Sequence, residues 1–255
     1  MPNQITRRLA LAAFSAAALF LGTAPARAAT VSVAVAANFT DPAKVLAAAF
    51  EKKSGDTVTL SFGASGPFYT QITQGAPFDI FLSADAARPK KLVTGGFGVA
   101  GSEFTYATGK LVLWSATPGY VDDQGKVLSS GKFKHLSIAN PKTAPYGAAA
   151  LETLKALGVY NSVAASIVTG ESITQAYQFT ASGNAELGFV ALSQVIKAGK
   201  GSQWVVPQNL YKPIAQDAVL LKPGANDQAA KDFLAYLKSP EALAIISSYG
   251  YATAQ

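Results

Sequence analysis

Short β-branched runs alternate with helix-like stretches along almost the whole chain, and that order leaves few architectures open. "TVSVAVAA" (30–37) reads as a buried strand, and "DPAKVLAAAFEKKSG" (41–55) as a helix with Pro42 near its start and Gly55 as its stop. A second strand (57–65) and helix (66–75) follow, then a third strand (78–85) and a helix over 86–95. After a loop-rich patch the alternation restarts with strands at 110–116 and 135–140, a helix over 147–157 and a strand at 165–170. A helix over 174–182, strands at 186–192 and 217–224, a helix over 227–239 and a last helix "PEALAIISSYG" complete the order. Parallel strands need long crossovers, so repeated βα units call for mostly parallel sheets with helices on both faces. The two series join near 106–110 and again near 209–216. They predict an α/β chain of two lobes, 29–107 plus 214–255 in the first and 108–213 in the second. Two crossing strands would act as a hinge, and ligands of such folds bind in the crevice at the carboxyl ends of the strands.

The first 28 residues stand outside this scheme. They combine a basic start (Arg7, Arg8), an Ala/Leu/Phe run and the A-x-A site Ala26-Arg27-Ala28. That is the pattern of a secretory signal peptide rather than a membrane span, because the apolar run is short and a cleavage motif follows. "TRRLAL" also suggests twin-arginine export, and the expected destination is the periplasm. Setting aside Arg7, Arg8 and Arg27 leaves 18 basic against 15 acidic residues, a net charge of +3 without a Lys/Arg cluster. Nucleic acid binding is therefore not supported. The chain has no cysteine, which excludes thiolate–zinc sites, iron–sulfur clusters and disulfides, and no lipidated cysteine tethers it to a membrane. The single histidine, His135, cannot build a histidine metal cluster.

Four strand-to-helix turns look alike. Ala36-Ala37-Asn38 and Gly63-Ala64-Ser65-Gly66 belong to the first lobe, Pro145-Tyr146-Gly147 and Glu171-Ser172-Ile173 to the second. All four lie at the carboxyl ends of the expected parallel strands, so four helix N-termini should offer N–H groups to one crevice. Asn38, Ser65 and the Tyr146 hydroxyl can reach inward, whereas Ser172 reads first as a plain N-cap. None of these turn segments contains Lys, Arg or His. A buried dianion would then be held by neutral donors, and roughly six or seven charge-assisted hydrogen bonds at about 1.5–3 kcal/mol each can offset a desolvation cost of several kcal/mol. No carboxylate is clearly placed to accept a ligand proton, since Glu171 and Asp41 read as first-turn helix charges. The expected ligand is a fully deprotonated tetrahedral oxyanion, of a size these residues do not set.

The segments "AANFT", "FGASGPFYTQI", "GAPFDIFLSAD", "IANPKTAPYG" and "GNAELGFVAL" resemble the periplasmic molybdate-binding proteins of ABC importers over essentially the whole mature chain. "GAP-x-D-x-F-x-SAD" is particularly specific to that family. The resemblance implies a two-lobed, type II solute-binding fold that closes over molybdate or tungstate as cargo, without a cofactor, as a monomer that serves a membrane permease. Carried over, the family's contacts fall on Ala37, Asn38, Ser65, Tyr146 and Ile173, largely through backbone N–H groups. Many members have serine at or beside Asn38 and a tyrosine at the position of Ala191. A subgroup resembles this chain instead, and Tyr146 is then expected to compensate for Ala191.

Other motifs carry less. "GFGVAG" (96–101) matches G-x-G-x-x-G but follows a helix and precedes a strand-like stretch, which is the wrong context for a dinucleotide. "SSGK", "KTA" and "SGN" echo serine β-lactamase signatures in the wrong order. Asp79 and Asp85 read as capping and turn residues, Trp114 and Trp204 as packing, and His135 as structural or surface. No nucleophile with a base partner is evident, so the chain reads as a binder rather than an enzyme. Sulfate or phosphate binding is the nearest alternative, ferric binding is disfavoured by the neutral turns, and a periplasmic enzyme acting on a phosphorylated or sulfated small molecule is a third reading.

Overall fold

A computed structural model describes residues 28–253, so the expected export signal lies, but for its last residue, outside the described residues. Among the described residues, ten strands form two five-stranded sheets. The first contains β1 (Thr30–Ala36), β2 (Thr57–Gly63), β3 (Ile80–Leu82), β4 (Phe104–Gly109) and β10 (Ile214–Leu220), in the order β2-β1-β3-β10-β4. The second contains β5 (Leu111–Ser115), β6 (Leu136–Ala139), β7 (Ile167–Gly170), β8 (Leu187–Ala191) and β9 (Ser202–Val205), in the order β7-β6-β8-β5-β9.

The two sheets repeat one design. In the first, β1 pairs in parallel with β2 and β3, and β10 pairs antiparallel with β3 and β4. In the second, β6 pairs in parallel with β7 and β8, and β5 pairs antiparallel with β8 and β9. Each sheet is thus mixed, more so than the βα alternation predicts. Helical crossovers force their strands parallel, but strands that arrive from the other lobe are free of that constraint. The chain crosses between β4 and β5 at Lys110 and returns into β10.

Among the described residues, seven helices have eight residues or more: α1 (Thr40–Ser54), α2 (Ser65–Thr73), α3 (Ala87–Thr94), α4 (Pro145–Ala156), α5 (Ile173–Ala181), α6 (Gln228–Tyr236) and α7 (Pro240–Ser248). Helix α1 ends as its sequence predicts: Gly55 takes φ 79° and its N–H donates to the Glu51 carbonyl at 2.9 Å. Strand alternation sorts the core onto the two faces of each sheet. Val31, Val33 and Val35 pack with α1 and α6, and Ala34 faces Phe68 and Phe81 on the other side. In the second sheet Leu111 and Leu113 face one core, Val112 and Trp114 the other. The first of these cores continues across the cleft to Ala36, Ala37, Ala64 and Ala84 of the first lobe, so the lobes are closed on each other. The edge strand β9 was not legible in the pattern. Its neighbours are glycines and lysines, and only Trp204 of its four residues is buried.

Candidate functional site

Between the lobes lies a small cavity lined by Ala36, Ala37, Asn38, Gly63, Ala64, Ser65, Ala84, Ala144, Pro145, Tyr146 and Ile173. All five residues expected at the site, Ala37, Asn38, Ser65, Tyr146 and Ile173, meet there, two turns coming from each lobe. About 10 Å³ of it is open to the centre of a water molecule, close to the room one water needs. That space is far too small for a sugar or a peptide.

The first turns of the surrounding helices account for their N–H groups one by one. Ala64 holds the N-cap position of α2 and Ala144 that of α4, and neither has a side chain that can cap. In α2, Gly66 N–H donates to the Thr143 carbonyl, Pro67 has no N–H, and Phe68 N–H reaches the Ala64 carbonyl, so Ser65 N–H is left over. In α4, Pro145 has no N–H, and both Gly147 and Ala148 donate to the Ala144 carbonyl, which leaves Tyr146 N–H. In α5, Ser172 Oγ accepts from Gln175 N–H at 3.3 Å, the N-cap role its position predicts, and the N–H groups of Ile173 and Thr174 remain, of which Ile173 lines the cavity. The short 3₁₀ turn Ala37–Phe39 after β1 also begins at an alanine without a side-chain cap. Among the described residues, no protein acceptor takes the N–H of Asn38, Ser65, Tyr146 or Ile173.

The hydroxyls are oriented to the same end. Ser65 is not the N-cap of α2 but its first residue. Its Oγ accepts from Ala84 N–H at 2.9 Å, which leaves the hydroxyl proton to donate. Tyr146 Oη accepts from Gln216 Nε2 at 3.3 Å and sits so close to β4 that a Cβ on Gly109 would stand 2.0 Å from it. Only glycine at position 109 lets that ring pass. The hydroxyl is thereby anchored to the crossing strands β4 and β10. Burial pushes the Tyr146 hydroxyl well above the usual tyrosine range, with Tyr251 and Tyr106 nearby adding to the effect, so it stays a neutral donor.

Asn38 differs from expectation. Its carboxamide Nδ2 donates to Gln216 Oε1 at 2.8 Å and to Tyr251 Oη at 3.0 Å, so the side chain is committed behind the cavity and the residue offers its backbone N–H. Behind it a buried polar network ties both lobes together. The Asn38 carbonyl accepts from Tyr251 Oη at 2.7 Å and from Ser193 Oγ at 2.8 Å, and Gln216 Oε1 also accepts from Tyr106 Oη at 3.2 Å. Burial raises the Tyr251 hydroxyl to about 12 and Tyr106 well above its ordinary value, so the network is uncharged. Sequence reasoning missed Gln216, Tyr251 and Ser193, because nothing local marks residues so distant in the chain as neighbours.

The charged residues near the turns stay outside. Glu171 and Asp41 are exposed, and neither lines the cavity. Asp85 Oδ1 accepts from Arg88 N–H at 2.8 Å, the capping role expected of it, whereas Asp79 Oδ2 accepts from Ser32 N–H of β1 at 2.7 Å, a long-range tie rather than the expected turn. Burial raises the Asp79 carboxyl above its ordinary range. Ala191 is fully buried in the core that also holds Tyr146 and Ile173. Lys142, in the loop before α4, is exposed and lines a separate outer groove of about 680 Å³ together with Arg88 and Lys91.

A family profile described as "Bacterial extracellular solute-binding protein" matches residues 31–252. The chain belongs to that family. This solute-binding protein is 62% identical over 240 residues to the molybdate-binding protein ModA of Rhodobacter capsulatus, which covers 94% of this chain and 95% of the relative. It is 60% identical over 229 residues to ModA of Azotobacter vinelandii, with 89% and 91% covered. Among solved structures it matches the periplasmic molybdate-binding protein of Azotobacter vinelandii with a TM-score of 0.86 at 47% identity, over 88% of this chain and 100% of that one. The sulfate-binding protein SubI of Mycobacterium tuberculosis, at 14% identity and a TM-score of 0.75 over 89% and 88% of the two chains, shares the fold alone.

Proposed function

We infer that this solute-binding protein captures molybdate between its lobes and delivers it to the permease of an ABC importer. The observation that carries the reading is one small cavity surrounded by helix starts with alanine in the cap position, in a chain 62% identical to a molybdate-binding protein. The proposed contacts are the N–H groups of Ala37, Asn38, Ser65, Tyr146 and Ile173 and the hydroxyl protons of Ser65 and Tyr146. A set of donors without an acceptor suits an anion that carries no proton. Tungstate, with the same charge and nearly the same size, is the second expected ligand. Sulfate has shorter bonds, so fixed donors spaced for molybdate would not reach all four of its oxygens at once. The protein works in the periplasm. Export through the signal over 1–28, by the twin-arginine route, and a monomeric state complete the proposal.

A thermal-shift series on the mature protein with molybdate, tungstate, sulfate and phosphate tests this. Ligand at about a thousand times its Kd adds roughly 4 kcal/mol to the folded state, on the order of 8–16 °C for a chain of this size. Molybdate and tungstate should give that shift and the other two none. A shift with sulfate alone would keep the anion site and overturn molybdate, and no shift with any of the four would overturn both.

A further inference from the structure

The stretch Gly63-Ala64-Ser65-Gly66 contains one glycine whose backbone does not explain it. Gly66 sits at the second position of α2, is not among the residues with positive φ, and occupies a site where alanine is normally the better helix former. What demands glycine is the other lobe. A Cβ on Gly66 would stand 2.9 Å from the Thr143 carbonyl oxygen and 3.0 Å from both Thr143 Cα and Cβ, and these are its three nearest contacts. Gly66 N–H also donates to that carbonyl at 2.9 Å, a backbone hydrogen bond that runs directly from one lobe to the other. Because Pro67 follows, the turn has only two such N–H groups to offer, those of Ser65 and Gly66. Ser65 lines the inner cavity, whereas Gly66 and Thr143 both line the outer groove, so their hydrogen bond lies on the outer side of the turn.

We propose that Gly66 and the Thr143 carbonyl form a latch that sets how long the closed lobes hold their anion. Gly66 is a positioning residue, since it touches the opposite lobe and not the ligand. The inference rests on the proposed closure over an oxyanion. Because Ser65 and Gly66 are adjacent in one rigid turn, seating the anion on one N–H brings the other into register with Thr143. A side chain at position 66 would leave the separated lobes undisturbed and would stop the last step of closure. The effect should therefore fall on release rather than on capture.

The test is Gly66→Ala, compared with wild type using whichever of the four oxyanions wild type binds most tightly. Radiolabelled anion chased with unlabelled anion gives the dissociation rate, and rapid mixing gives the association rate. We expect dissociation to be at least about tenfold faster, with association within about threefold of wild type. The urea midpoint of the ligand-free variant should equal or exceed that of wild type. X-ray scattering at saturating anion should give a larger radius of gyration for the variant. An unchanged dissociation rate would overturn the latch. So would a lowered ligand-free midpoint, because the added methyl would then be colliding within its own lobe. Failure of wild type itself to bind any of the four would count against the proposed function and is read separately.

Discussion

Helices α4 and α7 both begin with proline at the first position, yet one starts at Ala144 and the other at Ser239. Ser239 Oγ accepts from Ala242 N–H at 3.2 Å, an ordinary cap on a helix far from the cleft. Likewise α6 starts at Asp227, which accepts from Ala229 N–H at 2.9 Å. At the cleft, Ala64 and Ala144 give no such bond. A Ser, Thr, Asn or Asp cap contributes about 1 kcal/mol over alanine. The two regions differ in what is kept open. At α6 and α7 the sequence satisfies the helix starts with its own side chains, and at the cleft it forgoes that stability and leaves the N–H groups for something that arrives later. Helix α5 does both, since Ser172 caps the third N–H and leaves the first two.

Moving a cap into the cleft should give the largest effect. Ala144→Asp would place a carboxylate where it can accept from Tyr146 N–H, and would add a like charge beside the anion. One charge-assisted bond at about 1.5–3 kcal/mol and a repulsion of similar size together predict a loss of affinity of roughly 10³-fold. Calorimetric titration with molybdate measures it, and the ligand-free protein should meanwhile become more stable. Retained affinity would mean that Tyr146 N–H is not a contact.

Removing a cap outside the cleft is the converse. Ser239→Ala should lower stability by about 1 kcal/mol in urea unfolding and leave the molybdate Kd unchanged. If affinity fell as well, the contrast between the two kinds of helix start would dissolve.

The smallest effect concerns pH. Tyr106, Tyr146 and Tyr251 are buried and neutral, and their hydroxyls are raised above the ordinary value of 10.0, Tyr251 to about 12. A raised folded-state pKa contributes stability that is fully present below pH 10 and is lost as pH rises through the folded value. Between pH 7 and 9 neither stability nor affinity should change through these groups. Unfolding followed toward pH 12 should show the loss, and a decline already at pH 8–9 would mean the network is not sealed from water.

Much of this was readable from the chain. The periodic strands and helices, the four turns and the residues that meet in the cavity all depend on local spacing, which sequence carries well. The mixed pairing of β5 and β10 did not show, because an apolar run looks the same whichever way its neighbours point. The side chain of Asn38 turns away from the cavity to Gln216 and Tyr251, partners that a turn sequence cannot reveal. The alanines at positions 64 and 144 were in plain view. Read as missing caps, rather than as small residues permitting close approach, they would have identified the open N–H groups directly.

One consequence follows from where the charges stand. The cavity lining holds no ionised side chain, while the exposed Lys91 and Lys142 line the outer groove beside an Arg88 that is paired with Asp85. Ionic strength should therefore act unequally on arrival and retention. Dissolved salt hides exposed cations beyond a Debye length of about 8 Å at physiological strength, so capture slows as salt rises. Buried peptide dipoles are screened far less, so an anion already inside stays held. In brine or in dilute water the protein would keep its cargo equally well, and only the wait for the next ion would differ.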